Sequence, residues 1–171
     1  MGKEKIRFEE YLDKYGDLTY TNVGVSMLPM LRQHRDLIVI GKKTGRCKKF
    51  DVGLYIRPPH DYVLHRIVDV TDTGYTFLGD NCLNKEYNIR EEQVIGVLKA
   101  FVRDGKKISV DDKLYQAYAR LNYFFYPLRR VRIKTRARLG RLKRQVKKAL
   151  RKGSVGKAKR QVKRTPGKGK K

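Results

Sequence analysis

Residues 129–171 hold 21 of the chain's 42 lysines and arginines and not one acid, whereas all 17 acidic residues lie before residue 113. A stretch of that kind repels itself and has too few apolar side chains to build a core. Folding therefore falls to the preceding 128 residues, where basic and acidic side chains nearly cancel at a net +4. The full 171 residues, at +25, suffice for one ordinary domain and an extension. The expected division is an N-terminal helix over 1–17, a β domain over 18–112, an aromatic then basic helical extension over 113–152, and a disordered basic tail over 153–171.

Within the near-neutral part, short apolar and β-branched runs alternate with turn signals. Phe8, Tyr11, Leu12 and Tyr15 recur at helical spacing, with Gly16 placed to stop the helix. Strands are predicted over 18–25, 37–40, 52–56, 62–70, 74–78, 94–102 and 107–110, while 81–92 reads as polar loop or a short helical turn. Thr71-Asp72-Thr73-Gly74 and Arg103-Asp104-Gly105-Lys106 are hairpin turns. The fold class that follows is mainly β, a compact barrel or sandwich. From Asp111, taken as a helix cap, Leu114, Tyr115, Tyr118, Leu121 and Tyr123 to Tyr126 describe an aromatic helix that Pro127 interrupts.

Three stretches carry chemistry. Gly24-Val25-Ser26-Met27-Leu28-Pro29-Met30 is apolar with one hydroxyl, and Pro29 bars it from a helix interior or a central strand. A serine on such a rigid turn is either a turn residue or a presented nucleophile. Tyr62 to Val68 is a strand with His65 at its centre, where an imidazole without a partner is costly. Gly79-Asp80-Asn81 closes the next strand with a carboxylate. His34 and His60 sit in charged or Pro-rich loops and are expected in solvent.

In this order, Ser-Met-x-Pro, His-Arg-Ile-Val and Gly-Asp-Asn resemble the serine peptidases that join type I signal peptidases with self-cleaving repressors, in the variant with histidine as base. The resemblance spans about residues 19 to 103. It implies a serine endopeptidase with Ser26 as nucleophile and His65 as general base. It implies Asp80 as the preferred orienting carboxylate, with Glu86, or no carboxylate, as alternatives. In lysine-type relatives the matching aspartate pairs with the arginine after the base, here Arg66. Gly24 stands where many signal peptidases have a second serine, so the oxyanion would rest on backbone N–H groups, that of Ser26 included. Val25, Met27, Leu28, Pro29 and Met30 are the expected substrate-binding residues, taking an extended peptide by strand addition. Shallow pockets that prefer small residues are implied by the family alone.

Two cysteines and three histidines without a Cys-x-x-Cys pair predict neither metal nor cofactor. The charged N-terminus lacks the apolar core of a secretory signal, and no window is long and apolar enough for a membrane span. The expected location is cytoplasmic, free or peripheral at a membrane. Expected partners are a polypeptide substrate and, through the basic region, an anionic lipid surface ahead of nucleic acid; oligomeric state is not readable. The competing function is a non-catalytic or repressor-like peptide-binding domain whose tail binds nucleic acid, although residues 1–20 are too short for a helix-turn-helix.

Overall fold

The protein is described here by a computed structural model covering residues 6–132, 135, 136, 138–140, 143–145 and 147. The chain runs α1 (Phe8–Tyr15), β1 (Asp17–Thr21), β2 (Leu37–Lys42), β3 (Val52–Arg57), β4 (Asp61–Thr71), β5 (Gly74–Leu78), β6 (Glu86–Ile89), a 3-10 turn (Glu91–Gln93), β7 (Val94–Arg103), β8 (Lys106–Ser109) and α2 (Lys113–Phe124). All strand pairs are antiparallel, in the order β1-β2-β7-β3-β4-β5-β6 with β8 added to β7. The fold is mainly β, with a short N-terminal helix.

Turn chemistry sets the hairpins. Asp104 and Gly105 both take positive φ, 49° and 78°, the pair of conformations that matches the twist of the β7–β8 ribbon. Gly74 closes β4 onto β5, and a Cβ there would lie 2.4 Å from the Ile89 carbonyl oxygen, so β6 can approach only a glycine. β6 falls inside the segment expected to be loop or a short helical turn.

The sheet is covered on both faces. Leu12, Met27, Met30, Leu31, Ile40 and Leu54 belong to one core, and Tyr55, Ile67, Tyr75, Phe77 and Val94 to another. Neighbours Leu54 and Tyr55 thus enter different cores, as side chains alternate along a strand. β4 is the longest strand. Asp61–Arg66 pairs with β3, while β5 joins only from Arg66 onward. The flank of Asp61–His65 that faces away from β3 has no strand beside it among the described residues, and a bulge between Ile67 and Asp69 bends β4 just past the changeover.

The expected boundary after Asp112 moves. α2 packs on the first core through Tyr115 and Tyr118, with Ala119 also buried, and the compact unit runs through Phe125. Its cap residue is Asp112 rather than Asp111, and neither side chain caps the helix. A second unit starts at Tyr126 and is helical at 126–132 and at the described positions up to 147. The tail over 153–171 lies outside the described residues. No helix among the described residues is long and apolar enough to cross a membrane.

Tyr115 therefore belongs to the β domain's energetics. Tyr115→Ala should cost about 3 kcal/mol or more in denaturant unfolding. Leu114→Ala, one residue away and 82% exposed, should stay within about 0.5 kcal/mol of the parent.

Candidate active site

Ser26 sits in the turn between β1 and β2, and backbone contacts fix that turn at both ends. The Asn22 amide donates to the Asp36 carbonyl (2.9 Å) and the His34 amide to that of Asn22 (2.8 Å). Inside the loop the Asp36 carboxylate, fully buried, accepts from the Arg32 amide at 2.8 Å and from Arg103 Nε and Nη2 at 3.1 and 2.6 Å. Burial opposes its charge, but Arg103 and the Arg32 amide outweigh that and hold its pKa low. Arg103 also donates to the Met30 carbonyl. An arginine on β7 thus clamps the loop that carries the serine.

The Gly-Asp-Asn turn supports the serine from the other side, each residue by a different means. At Gly79 an added Cβ would meet Cys82 Sγ at 2.6 Å, the Ser26 carbonyl oxygen at 2.8 Å and His65 Nε2 at 3.0 Å. The serine turn and the imidazole therefore meet across a position that admits no side chain. The Asn81 amide donates to the Ser26 carbonyl (2.7 Å) and Asn81 Nδ2 to that of Val25 (3.1 Å).

Asp80 does not orient His65. Its Oδ1 and Oδ2 accept from Arg66 Nε and Nη2 at 2.9 and 2.8 Å, a two-point pair with both side chains at 2% exposure or less. Tyr118 donates to Oδ2 at 3.3 Å, and the Phe50 carbonyl takes Arg66 Nη1 at 2.9 Å. The preference for Asp80 as orienter is corrected by strand geometry: His65 and Arg66 are consecutive on β4, so they face opposite ways, and Asp80 lies on the arginine's side.

The carboxylate at the imidazole is Glu86. Its Oε1 lies 3.3 Å from His65 Nδ1, and the Tyr55 hydroxyl lies at the same distance. Burial, together with Glu86, pushes the Tyr55 pKa far up, so its hydroxyl stays protonated. Nδ1 thus faces both a carboxylate and a hydroxyl; with its proton on Nδ1, donated to Glu86, which only accepts, the ring would keep its lone pair on Nε2, beside the Cys82 thiol. Burial is also the largest influence on His65 and holds its pKa below the ordinary 6.5, with Glu86 pushing it up and Arg57 down. Arg57 in turn reaches Glu86 at 3.5 Å.

Ser26, His65 and Glu86 line one groove of about 660 Å³, walled also by Asn22, Tyr62 and Cys82. Cys82 Sγ lies 4.0 Å from His65 Nε2, and among the described residues no hydrogen bond joins the Ser26 hydroxyl to that nitrogen. The Ser26 amide likewise donates to no acceptor among the described residues. Gly24, where a second serine might have stood, takes φ 101°, a conformation that resists any side chain. Asn22 Nδ2 is buried in the groove wall and has no hydrogen-bond partner among the described residues. His34 and His60 are exposed as expected, and no metal-binding cluster occurs among the described residues.

The expected substrate-binding set divides. Val25 is exposed and Leu28 half-buried, Pro29 is exposed, and Met27 forms part of the groove wall while buried. Met30 points into the core, where its sulfur accepts from Arg66 Nη2 at 2.9 Å. The segment is a turn rather than a strand, so strand alternation does not describe it. Sequence reasoning missed Asn22, Tyr55 and Asn81. The chain matches no family model, no curated protein and no solved structure with which it was compared.

Two substitutions separate support from chemistry. Asp80→Asn leaves Arg66 charged in the core with half its partner, and should lower unfolding free energy by about 3–5 kcal/mol. Gly79→Ala should displace the serine turn from the imidazole, visible as altered His65 ring resonances in an otherwise folded spectrum.

Proposed function

We propose that the chain is a serine endopeptidase similar to signal peptidases, built on a compact barrel-like β domain of that type. The observation that carries this reading is the wiring of His65, with Nδ1 beside Glu86 and Tyr55 and Nε2 turned, next to the Cys82 thiol, into the groove that Ser26 lines. Nε2 takes the Ser26 proton as Oγ attacks the scissile carbonyl carbon. The negative charge gathering on the substrate's carbonyl oxygen is met by the Ser26 amide. The imidazolium then protonates the leaving amine, and water, activated by the same nitrogen, hydrolyses the acyl-enzyme. Glu86 stabilises the imidazolium and is a positioning residue. Asp80 is left to hold Arg66.

The substrate enters as an extended strand along the open flank of Asp61–His65, which supplies the backbone groups for a ladder. Asn22 Nδ2 is a donor waiting for a peptide carbonyl. Leaving a buried donor unpaired costs about 1–3 kcal/mol, which a bound substrate returns.

A fluorophosphonate probe should label the wild-type chain and leave Ser26→Ala unlabelled; equal labelling of both would end the peptidase reading in favour of a non-catalytic peptide-binding domain. The labelling rate should follow neutral His65 and keep its acid limb below pH 6.5. Glu86 raises the imidazole pKa, so Glu86→Gln should move that limb to still lower pH while the plateau falls roughly 10²–10⁴-fold. Asn22→Leu should leave probe labelling in place, raise stability by about 1 kcal/mol, and slow cleavage of a mixed peptide library.

A further inference from the structure

α2 is apolar on two sides, and only one of them meets the core. Tyr115 and Ala119 face inward. On the opposite side Leu114, Ala117, Leu121 and Phe124 follow at intervals of three, four and three residues, a complete helical stripe turned to solvent. Leu114 is 82%, Leu121 55% and Phe124 73% exposed. Lys113 and Arg120 flank this stripe, and the helix contains no acid. The same spacing continues in the sequence to Leu128 and Val131, both exposed, among Arg129, Arg130 and Arg132. An outward run of large apolar side chains on a surface helix marks a contact site.

We infer that the outward face of α2 docks on an anionic lipid surface, with its leucines and phenylalanine entering the headgroup–acyl boundary and the surrounding cations resting on lipid phosphates. The occupant follows from charge and chemistry together. A second copy would bring +25 against +25. A nucleic acid would neutralise the cations, yet has nothing to offer aliphatic Leu114 and Leu121. An acidic bilayer satisfies both, because apolar burial and electrostatic attraction add at its interface. The mode is peripheral: α2, at 12 residues, is too short to span a bilayer of about 20 helical residues. This inference does not depend on the peptidase reading.

The test uses the full chain, sedimented with vesicles of phosphatidylcholine alone or of phosphatidylcholine with an equal part of phosphatidylglycerol. Expected is partition into the acidic vesicles, little into the neutral ones, and release as salt rises. The variant Leu114→Gln/Phe124→Gln changes the two most exposed large apolar side chains of the stripe and leaves every charge in place, so its unfolding curve should match the parent's. Its partition into acidic vesicles should fall at least about tenfold. Equal partition of parent and variant would overturn the inference, because charge alone would then suffice. So would absence of vesicle binding together with salt-sensitive binding of a single-stranded oligonucleotide, or with a concentration-dependent dimer that the variant abolishes.

Discussion

The pair between Arg66 and Asp80 is the fixed point of the molecule. Two ions with almost no solvent are tolerable only if every donor is answered. Arg66 is answered by Asp80, by the Phe50 carbonyl, by Met30 sulfur and by Tyr115 at 3.4 Å, partners drawn from four separate parts of the chain. Phe50 takes φ 80° as it delivers its carbonyl, an unusual conformation for a bulky residue. The serine loop through Met30, the turn through Asp80 and α2 through Tyr115 to Arg66 and Tyr118 to Asp80 are thereby tied to one ion pair. Its partners dictate where α2 lies, which is why the helix belongs to the β domain despite the change in composition.

That fixed point also decides the division of labour on β4. Consecutive residues serve opposite faces: Arg66 organises the interior and His65 the groove. The two carboxylates follow suit, Asp80 inside and Glu86 at the edge, on the short strand β6. An imidazole beside an edge strand has a partner that can be reached from solvent, and Arg57 beside Glu86 offsets part of the carboxylate's pull. Burial accordingly favours the neutral imidazole, with Glu86 and Tyr55 set beside its Nδ1.

Much of this was legible in the residues. The hairpins at Thr71–Gly74 and Asp104-Gly105 follow from turn chemistry, and Ser26 and His65 stand out because a hydroxyl and an imidazole are costly in apolar runs. Asp80 was misassigned because linear order does not say which face of β4 a later turn will meet. β6 went unread because Glu86-Tyr87-Asn88-Ile89 has one buried residue and a positive φ at Asn88, so it lacks alternation. Met27 and Met30 were both expected to contact substrate, whereas the turn sends Met27 to the groove wall and Met30 into the core. Asn22 left no mark at all, since an unpaired amide is a property of its surroundings rather than of its type.

The short open flank of β4 has a consequence for selection. An exposed sheet edge invites any strand, including another copy's, and long flat ones are sites of aggregation. Here the invitation is brief. The two prolines at 58 and 59 stand before Asp61, and β5 takes over at Arg66, so only five residues are on offer. A strand already committed to a sheet in a folded protein would have to leave its neighbours to use them. A loose terminus or linker pays no such penalty, so under the proposed function the groove would sort polypeptides by their disorder before it read a single side chain.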